Sequence, residues 1–148
     1  MITLRQARST DAGKVGGILS EFAQTTPWMP KLHTGAEDVA HAGVLIDRGW
    51  VTIAQIDGKV AGFAAFDDPD LDALFVTQSA RGQGVGTALI SHLQSQHPVL
   101  ELWTFQANTP AQQFYLKHGF SEVERTDGAR NDESLPDMRF VWRRERGD

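Results

Sequence analysis

The apolar positions of this chain switch repeatedly between a period of two and a period of 3.6. Ile2 to Ala7 alternates as a half-buried strand does, and Val15, Ile18, Leu19 and Phe22 then recur at helical spacing. Ser9-Thr10-Asp11 stands before that helix with oxygens suited to capping it. Gly13, Gly16 and Gly17 each cost a helix roughly 1 kcal/mol relative to alanine, so packing must hold this one together. Thr25-Thr26-Pro27-Trp28-Met29-Pro30 breaks it. Thr34 and Glu37 have capping-box spacing, and Val39, Ala42, Gly43 and Ile46 continue a second helical face. Trp50 to Ile56 and Lys59 to Phe66, rich in β-branched and aromatic residues, flank Asp57-Gly58 and predict a hairpin.

The alternation of Leu71, Ala73 and Phe75 with Asp72, Leu74 and Val76 predicts another strand, each trio on its own face. A helix follows through Val85, Ala88, Leu89 and Leu93 and stops at His97-Pro98. Val99 to Phe105 then reads as a fifth strand, with Leu100, Leu102 and Thr104 on one face. The helix between these two strands makes them parallel neighbours. Ala111, Phe114, Tyr115 and His118 share one stripe of a last helix that ends at Gly119. If Pro110 takes its first position, Thr109 is the cap and the Asn108 amide stays free for a ligand. Phe120 to Thr126 and Asp137 to Trp142 read as final strands joined by the polar loop Asp127 to Leu135. Arg143 to Asp148 reads as a frayed tail.

Composition narrows this picture. A chain of 148 residues is the size of one domain and can bury a core unaided, so residues 1–148 are expected to form a single domain. There is no cysteine, hence no thiol nucleophile and no thiolate metal site. Five scattered histidines lack metal-ligand spacing, and no metal is expected. The net charge of −5 argues against a nucleic-acid partner. Met1 to Arg5 lacks a signal-peptide core and no apolar run reaches spanning length, so the expected location is cytoplasmic, with no membrane partner.

The chemistry concentrates at Arg81-Gly82-Gln83-Gly84-Val85-Gly86-Thr87. Three glycines at alternate positions before a helix allow several backbone N–H groups to face one point, where the helix terminus favours an anion. A tight strand-to-helix turn without a ligand is the plain alternative. The dinucleotide fingerprint and the lysine-containing NTP loop do not fit. The pattern Arg/Gln-x-x-Gly-x-Gly/Ala does fit. Together with Asn108 to Phe120, which has Asn, Ala, Phe-Tyr and Gly-Phe in order, it makes the chain resemble the GNAT family, the Gcn5-related N-acetyltransferases. These two segments carry the specificity, while the similarity of layout runs over nearly the whole chain.

The resemblance implies a single α/β domain: a mixed sheet of about seven strands with helices on both faces, its fourth and fifth strands parallel and splayed. It also implies acetyl-CoA as acyl donor. Backbone groups of Arg81, Gly82, Gln83, Gly84, Val85, Gly86 and Thr87 would hold its pyrophosphate, and a branched side chain at Gly84 or Gly86 would enter that space. Main-chain groups of Leu74, Phe75 and Val76 would pair with its pantetheine amides beside a bulge. Asn108 and Tyr115 complete the donor site, with Tyr115 as general acid. Asp70 and Asp72 are candidate bases for the acceptor amine, or surface aspartates. Trp28 and Met29 either line the acceptor site or lid the core, and Trp103 is either core or acceptor wall. Glu101 either faces solvent or helps recognise a cationic acceptor. Arg125, Arg130, Asn131, Asp132 and Glu133 either border the acceptor pocket or form a charged surface loop. The implied reaction is direct acetyl transfer to a primary amine of a small molecule or peptide, by a monomer or homodimer. A protein lysine or N-terminal acetyltransferase and a non-catalytic acyl-CoA-binding module are the alternatives.

Overall fold

The computed structural model describes residues 1–145. Its elements in chain order are β1 (Ile2–Gln6), a 3₁₀ turn (Ser9–Asp11), α1 (Ala12–Thr25), α2 (Gly35–Asp47), β2 (Val51–Ile56), β3 (Lys59–Asp67) and β4 (Asp70–Val76). A second 3₁₀ turn (Gln78–Ala80) leads to α3 (Val85–Gln96), β5 (Val99–Phe105), α4 (Thr109–Lys117), β6 (Ser121–Thr126) and β7 (Asp137–Arg143). The seven strands form one sheet in the order β1-β2-β3-β4-β5-β7-β6. Every neighbouring pair is antiparallel except β4 and β5, as the crossover through α3 requires. No helix among the described residues is long and apolar enough to cross a membrane.

Local chemistry explains most boundaries. Thr34 Oγ1 accepts from the Glu37 N–H at 3.1 Å while Glu37 Oε1 accepts from the Thr34 N–H at 2.8 Å, the reciprocal box that starts α2. Asp57 and Gly58 both have positive φ, the geometry a tight hairpin between β2 and β3 demands. Asp11 behaves otherwise than expected. It makes no cap for α1; its carboxylate turns back to the Arg8 N–H at 2.7 Å and to both terminal nitrogens of Arg5 at 2.8 Å. Arg5 holds this buried carboxyl down at about 2.

The sheet separates two cores. One face carries Leu89, Ile90, Leu93, Leu100, Leu102, Tyr115, Met138 and Phe140 under α3 and α4. The other carries Val15, Ile18, Leu45, Ile46, Ile53 and Phe63 under α1 and α2, and draws no residue from β5, β6 or β7. At the chain's end, Arg143 closes β7 and the Arg144 N–H bonds to Pro98 O at 2.8 Å. The expected tail therefore begins later than Arg143, and its last three residues, 146–148, lie outside the described residues.

Candidate functional site

The site grows from an irregularity in β4. Its register with β3 pairs Phe66 with Leu71 and Ala65 with Ala73, so Asp72 is the extra, bulged residue. Leu71 consequently packs in the α3–α4 core, while Ala73, two positions on, packs with the α1–α2 core. The expected trio of Leu71, Ala73 and Phe75 on one face is thus corrected: the bulge breaks the period of two. It also falls at Asp72, short of Leu74 to Val76. On its other side β4 meets β5 at a single pair, Asp70 with Glu101, where the Glu101 N–H also bonds to Pro69 O at 2.8 Å. Beyond that point the two strands part and leave a cleft.

Three cavities run into one another here. The first, about 310 Å³, lies between Leu74 and Val76 of β4, the loop 80–87, and Ala111, Phe114 and Tyr115 of α4. The second, about 290 Å³, is the cleft itself, walled by residues 71–75 of β4, residues 102–105 of β5, and Asn108, Ala111 and Tyr115. Leu74, Ala111 and Tyr115 line both. The third is a groove of about 630 Å³ between α1, α2 and the β6–β7 loop, sharing Phe22, Met29, Phe75 and Glu133 with the cleft. Its floor is apolar and its rim carries Glu37, Asp38, Asp132 and Glu133, with His33 and His41.

The loop's alternate glycines have separate reasons. Gly82 and Gly84 have φ of 79° and 86°, the left-handed region in which a Cβ is strained, and Gly84 directly precedes the first turn of α3. Gly86 has no such φ. A Cβ there would stand 3.3 Å from the Phe114 ring, so Gly86 serves the approach of α3 to α4. A side chain would thus meet backbone strain at Gly84 and the Phe114 ring at Gly86, and both positions line the first cavity. Arg81 and Gln83 are exposed, Gln83 Nε2 donating to Ser79 O at 3.3 Å. Thr87 Oγ1 lies 3.3 Å from His118 Nε2.

Tyr115 is 8% exposed, edge-on to Phe114 and Phe120 with centroids 5.3 and 5.4 Å away. Burial alone pushes its phenol well above the ordinary range. Tyr115 lines both of the first two cavities. Asp70 and Asp72 border a hollow with Glu101 and Trp103, and Asp72 also reaches the cleft. Both carboxyls are raised, Asp70 by desolvation and then by Glu101, Asp72 by desolvation and then by Asp70.

Other expectations need correction. Asn108, not Thr109, is the N-cap of α4: its Oδ1 accepts from the Ala111 N–H at 3.2 Å, leaving only the amide nitrogen for a ligand. Trp103 is not core but 49% exposed, because no helix covers that face of β5. Glu101 does not stand free in solvent: Arg139 on β7 pairs with it at the hollow it lines beside Asp70 and Trp103. Trp28 is half-buried between the rings of Phe22 and Phe105, at 6.1 and 5.7 Å, and Met29 lines both cleft and groove. Arg125 pairs with Glu122 and Asn131 clamps its own loop through Leu135, which turns Asp132 and Glu133 to the groove. One site-adjacent residue had no signal in the sequence. Glu21 of α1 bonds to the Gln78 N–H at the start of the loop, and nothing in an amphipathic pattern marks a carboxylate for a partner 57 positions away.

The profile of the acetyltransferase (GNAT) domain family matches residues 47–122, just over half of the chain. The peptidyl-lysine N-acetyltransferase YiaC of Escherichia coli is 40% identical over 97 residues, which cover 64% of this chain and 63% of YiaC, under two thirds of its length. The peptidyl-lysine N-acetyltransferase YjaB of Escherichia coli is 28% identical over 129 residues, covering 86% and 87% of the two chains. Its apo solution structure superposes with a TM-score of 0.80 at 22% identity, covering 98% and 99%. The structure of YncA from Salmonella typhimurium, solved with its cofactor acetyl-CoA, superposes with a TM-score of 0.76 at 17% identity, covering 100% and 96%.

Proposed function

This chain belongs to the GNAT acetyltransferase family, and from that premise we propose that it transfers acetyl from acetyl-CoA directly to the amine of a lysine side chain on a peptide or protein. The observation that carries this reading is the run of three cavities, joined first at Tyr115 and then at Phe22, Met29 and Phe75. The donor fits the loop. Glycines at 82 and 84, at ease in the left-handed region, turn the backbone ahead of α3, where a pyrophosphate is favoured by the helix terminus, and Val85 to Thr87 continue that terminus. Main-chain groups of Leu74 and Val76 stand on the side of β4 that β5 has left, while those of Phe75 turn to Phe63 of β3, so an extended amide chain can pair at 74 and 76 but not at 75. The Asn108 amide nitrogen can add one donor. The thioester supplies an activated acyl group, and every other task falls to the protein.

An amine with a pKa near 10.4 is neutral only about once in a thousand molecules at neutral pH, so a proton must be removed before attack. Asp72 is the better placed of the two aspartates, since it reaches the cleft while Asp70 sits where β4 and β5 still pair. Its raised pKa makes it a stronger base than an ordinary aspartate. Tyr115, kept neutral by burial, holds a proton at Oη for the departing thiolate. Trp103, Trp28 and Met29 wall the acceptor side. The groove beyond, apolar below and acidic at the rim, suits residues flanking a lysine in a basic segment, and two of the similar proteins are named peptidyl-lysine N-acetyltransferases.

A thiol-release assay tests this, comparing lysine peptides with basic or acidic flanks against free polyamines and amino sugars. Basic-flanked peptides should be the best acceptors. Faster turnover of the small amines would overturn the lysine assignment, and acetyl-CoA binding without release on any acceptor would overturn catalysis itself.

A further inference from the structure

The segment that delivers the chain from β4 to the glycine loop is the 3₁₀ turn Gln78–Ala80, and its capping is unusual. A threonine before such a turn ordinarily offers its hydroxyl to the turn's free N–H groups, yet Thr77 makes no such bond. The Thr77 hydroxyl instead donates to the Glu21 carboxylate, at 3.1 and 3.2 Å, and the same carboxylate takes the Gln78 N–H at 2.7 Å. The main chain of Thr77 is held from the opposite side, its N–H donating to Ala61 O at 2.8 Å. Helix α1 thus caps a turn 57 residues away through one side chain.

Nothing else in the surroundings accounts for that carboxylate. None of the ion pairs among the described residues includes it, and its protein donors are the Thr77 hydroxyl and the Gln78 N–H. A negative charge near a pyrophosphate loop is electrostatically unfavourable to the ligand, which makes geometry the reason for its presence. The next residue on α1, Phe22, packs on Phe75 with centroids 5.0 Å apart and lines both cleft and groove. Two consecutive residues of one helix therefore reach the entrance of the loop and the wall of the acceptor side.

We infer that Glu21 is a positioning residue: it fixes the approach to the acetyl-CoA loop from α1 and so ties donor binding to the helix that shapes the acceptor side. This inference rests on the acetyl-CoA reading above. Because the bonds involve a charged acceptor, losing them should weaken acetyl-CoA binding by about tenfold. Glu21→Gln keeps an oxygen for the Gln78 N–H and drops the charge, so it should stay within about twofold of the parent protein if geometry is the function.

The test measures acetyl-CoA affinity by calorimetry, steady-state KM and kcat, and amide hydrogen exchange without ligand, in the parent, Glu21→Ala, Glu21→Gln and Thr77→Val proteins. Expected are faster exchange confined to residues 78–87 in Glu21→Ala, a KM for acetyl-CoA raised about tenfold with kcat changed less than about twofold, and rescue by Glu21→Gln. Thr77→Val, which leaves the Gln78 bond in place, should show a smaller effect of the same kind. Unchanged exchange at 78–87, or unchanged affinity in folded Glu21→Ala, overturns the inference. A Glu21→Gln protein that binds as poorly as Glu21→Ala also overturns it, because the charge would then be what matters. Failure of the parent to bind acetyl-CoA condemns the donor reading instead, while the exchange arm still decides whether Glu21 holds the loop.

Discussion

Tyr115 and Asp11 are both buried, and burial does opposite things for them because only one has a charged partner. Desolvation without compensation keeps the Tyr115 phenol protonated across the working range of pH. Tyr115→Phe preserves the ring contacts with Phe114 and Phe120, so acetyl-CoA affinity should survive while single-turnover transfer falls about 10- to 1000-fold. An unchanged rate would remove the hydroxyl from the reaction. Asp11 is held by Arg5 and the Arg8 N–H, and its carboxyl is lowered to about 2 from 3.8. A depressed folded pKa stabilises the protein above the unfolded value and loses that stabilisation as pH falls from about 4 towards 2. Asp11→Asn should therefore cost about 2 kcal/mol at neutral pH and flatten the stability profile across that window, which denaturant melts at several pH values would read.

At the scale of elements, helix α1 shows how one residue type can have opposite effects at adjacent positions. A Cβ on Gly16 would stand 2.6 Å from the Val39 backbone, whereas one on Gly17 meets nothing within 4 Å. Alanine gains roughly 1 kcal/mol of helix propensity at either position. Gly17→Ala should accordingly stabilise the protein by about 0.5–1 kcal/mol, while Gly16→Ala should destabilise it by about 1–2 kcal/mol because α2 must move away. Chemical denaturation of the two variants separates the cases; equal effects would deny that Gly16 sets the α1–α2 approach. The sequence announced α1 and its apolar stripe, the Thr34 box and the Asp57-Gly58 turn, because each depends on residues close together in the chain. It did not announce which of Gly16 and Gly17 faces α2, the bulge at Asp72, or the Glu21 bond. These depend on what packs alongside. Asn108 took the cap from Thr109 for a related reason: Pro110 suits the second helical position as well as the first, and only geometry decides between them.

The molecule as a whole is two half-sheets meeting at one pair, Asp70 with Glu101. The candidate site was legible where it rests on backbone, in the glycine loop and the Phe-Tyr segment. It was less so on the acceptor side, where α1, α2 and the β6–β7 loop converge from distant stretches of sequence. The exposed Trp103 marks the same boundary: α1 and α2 cover β2 to β4 and stop, so one face of the second half-sheet is left bare. The parted strands also bear on how long the protein lasts. A donor lying between β4 and β5 would join the sheet as a missing rung, and binding at about 100 times its dissociation constant would add about 2.7 kcal/mol to folding stability. Digestion by a nonspecific protease should slow in step with acetyl-CoA concentration, and desulfo- or dephospho-analogues that bind less tightly should protect less. Under the proposed function the metabolite would then govern the protein's survival as well as its turnover, so that a cell poor in acetyl groups would carry less of it.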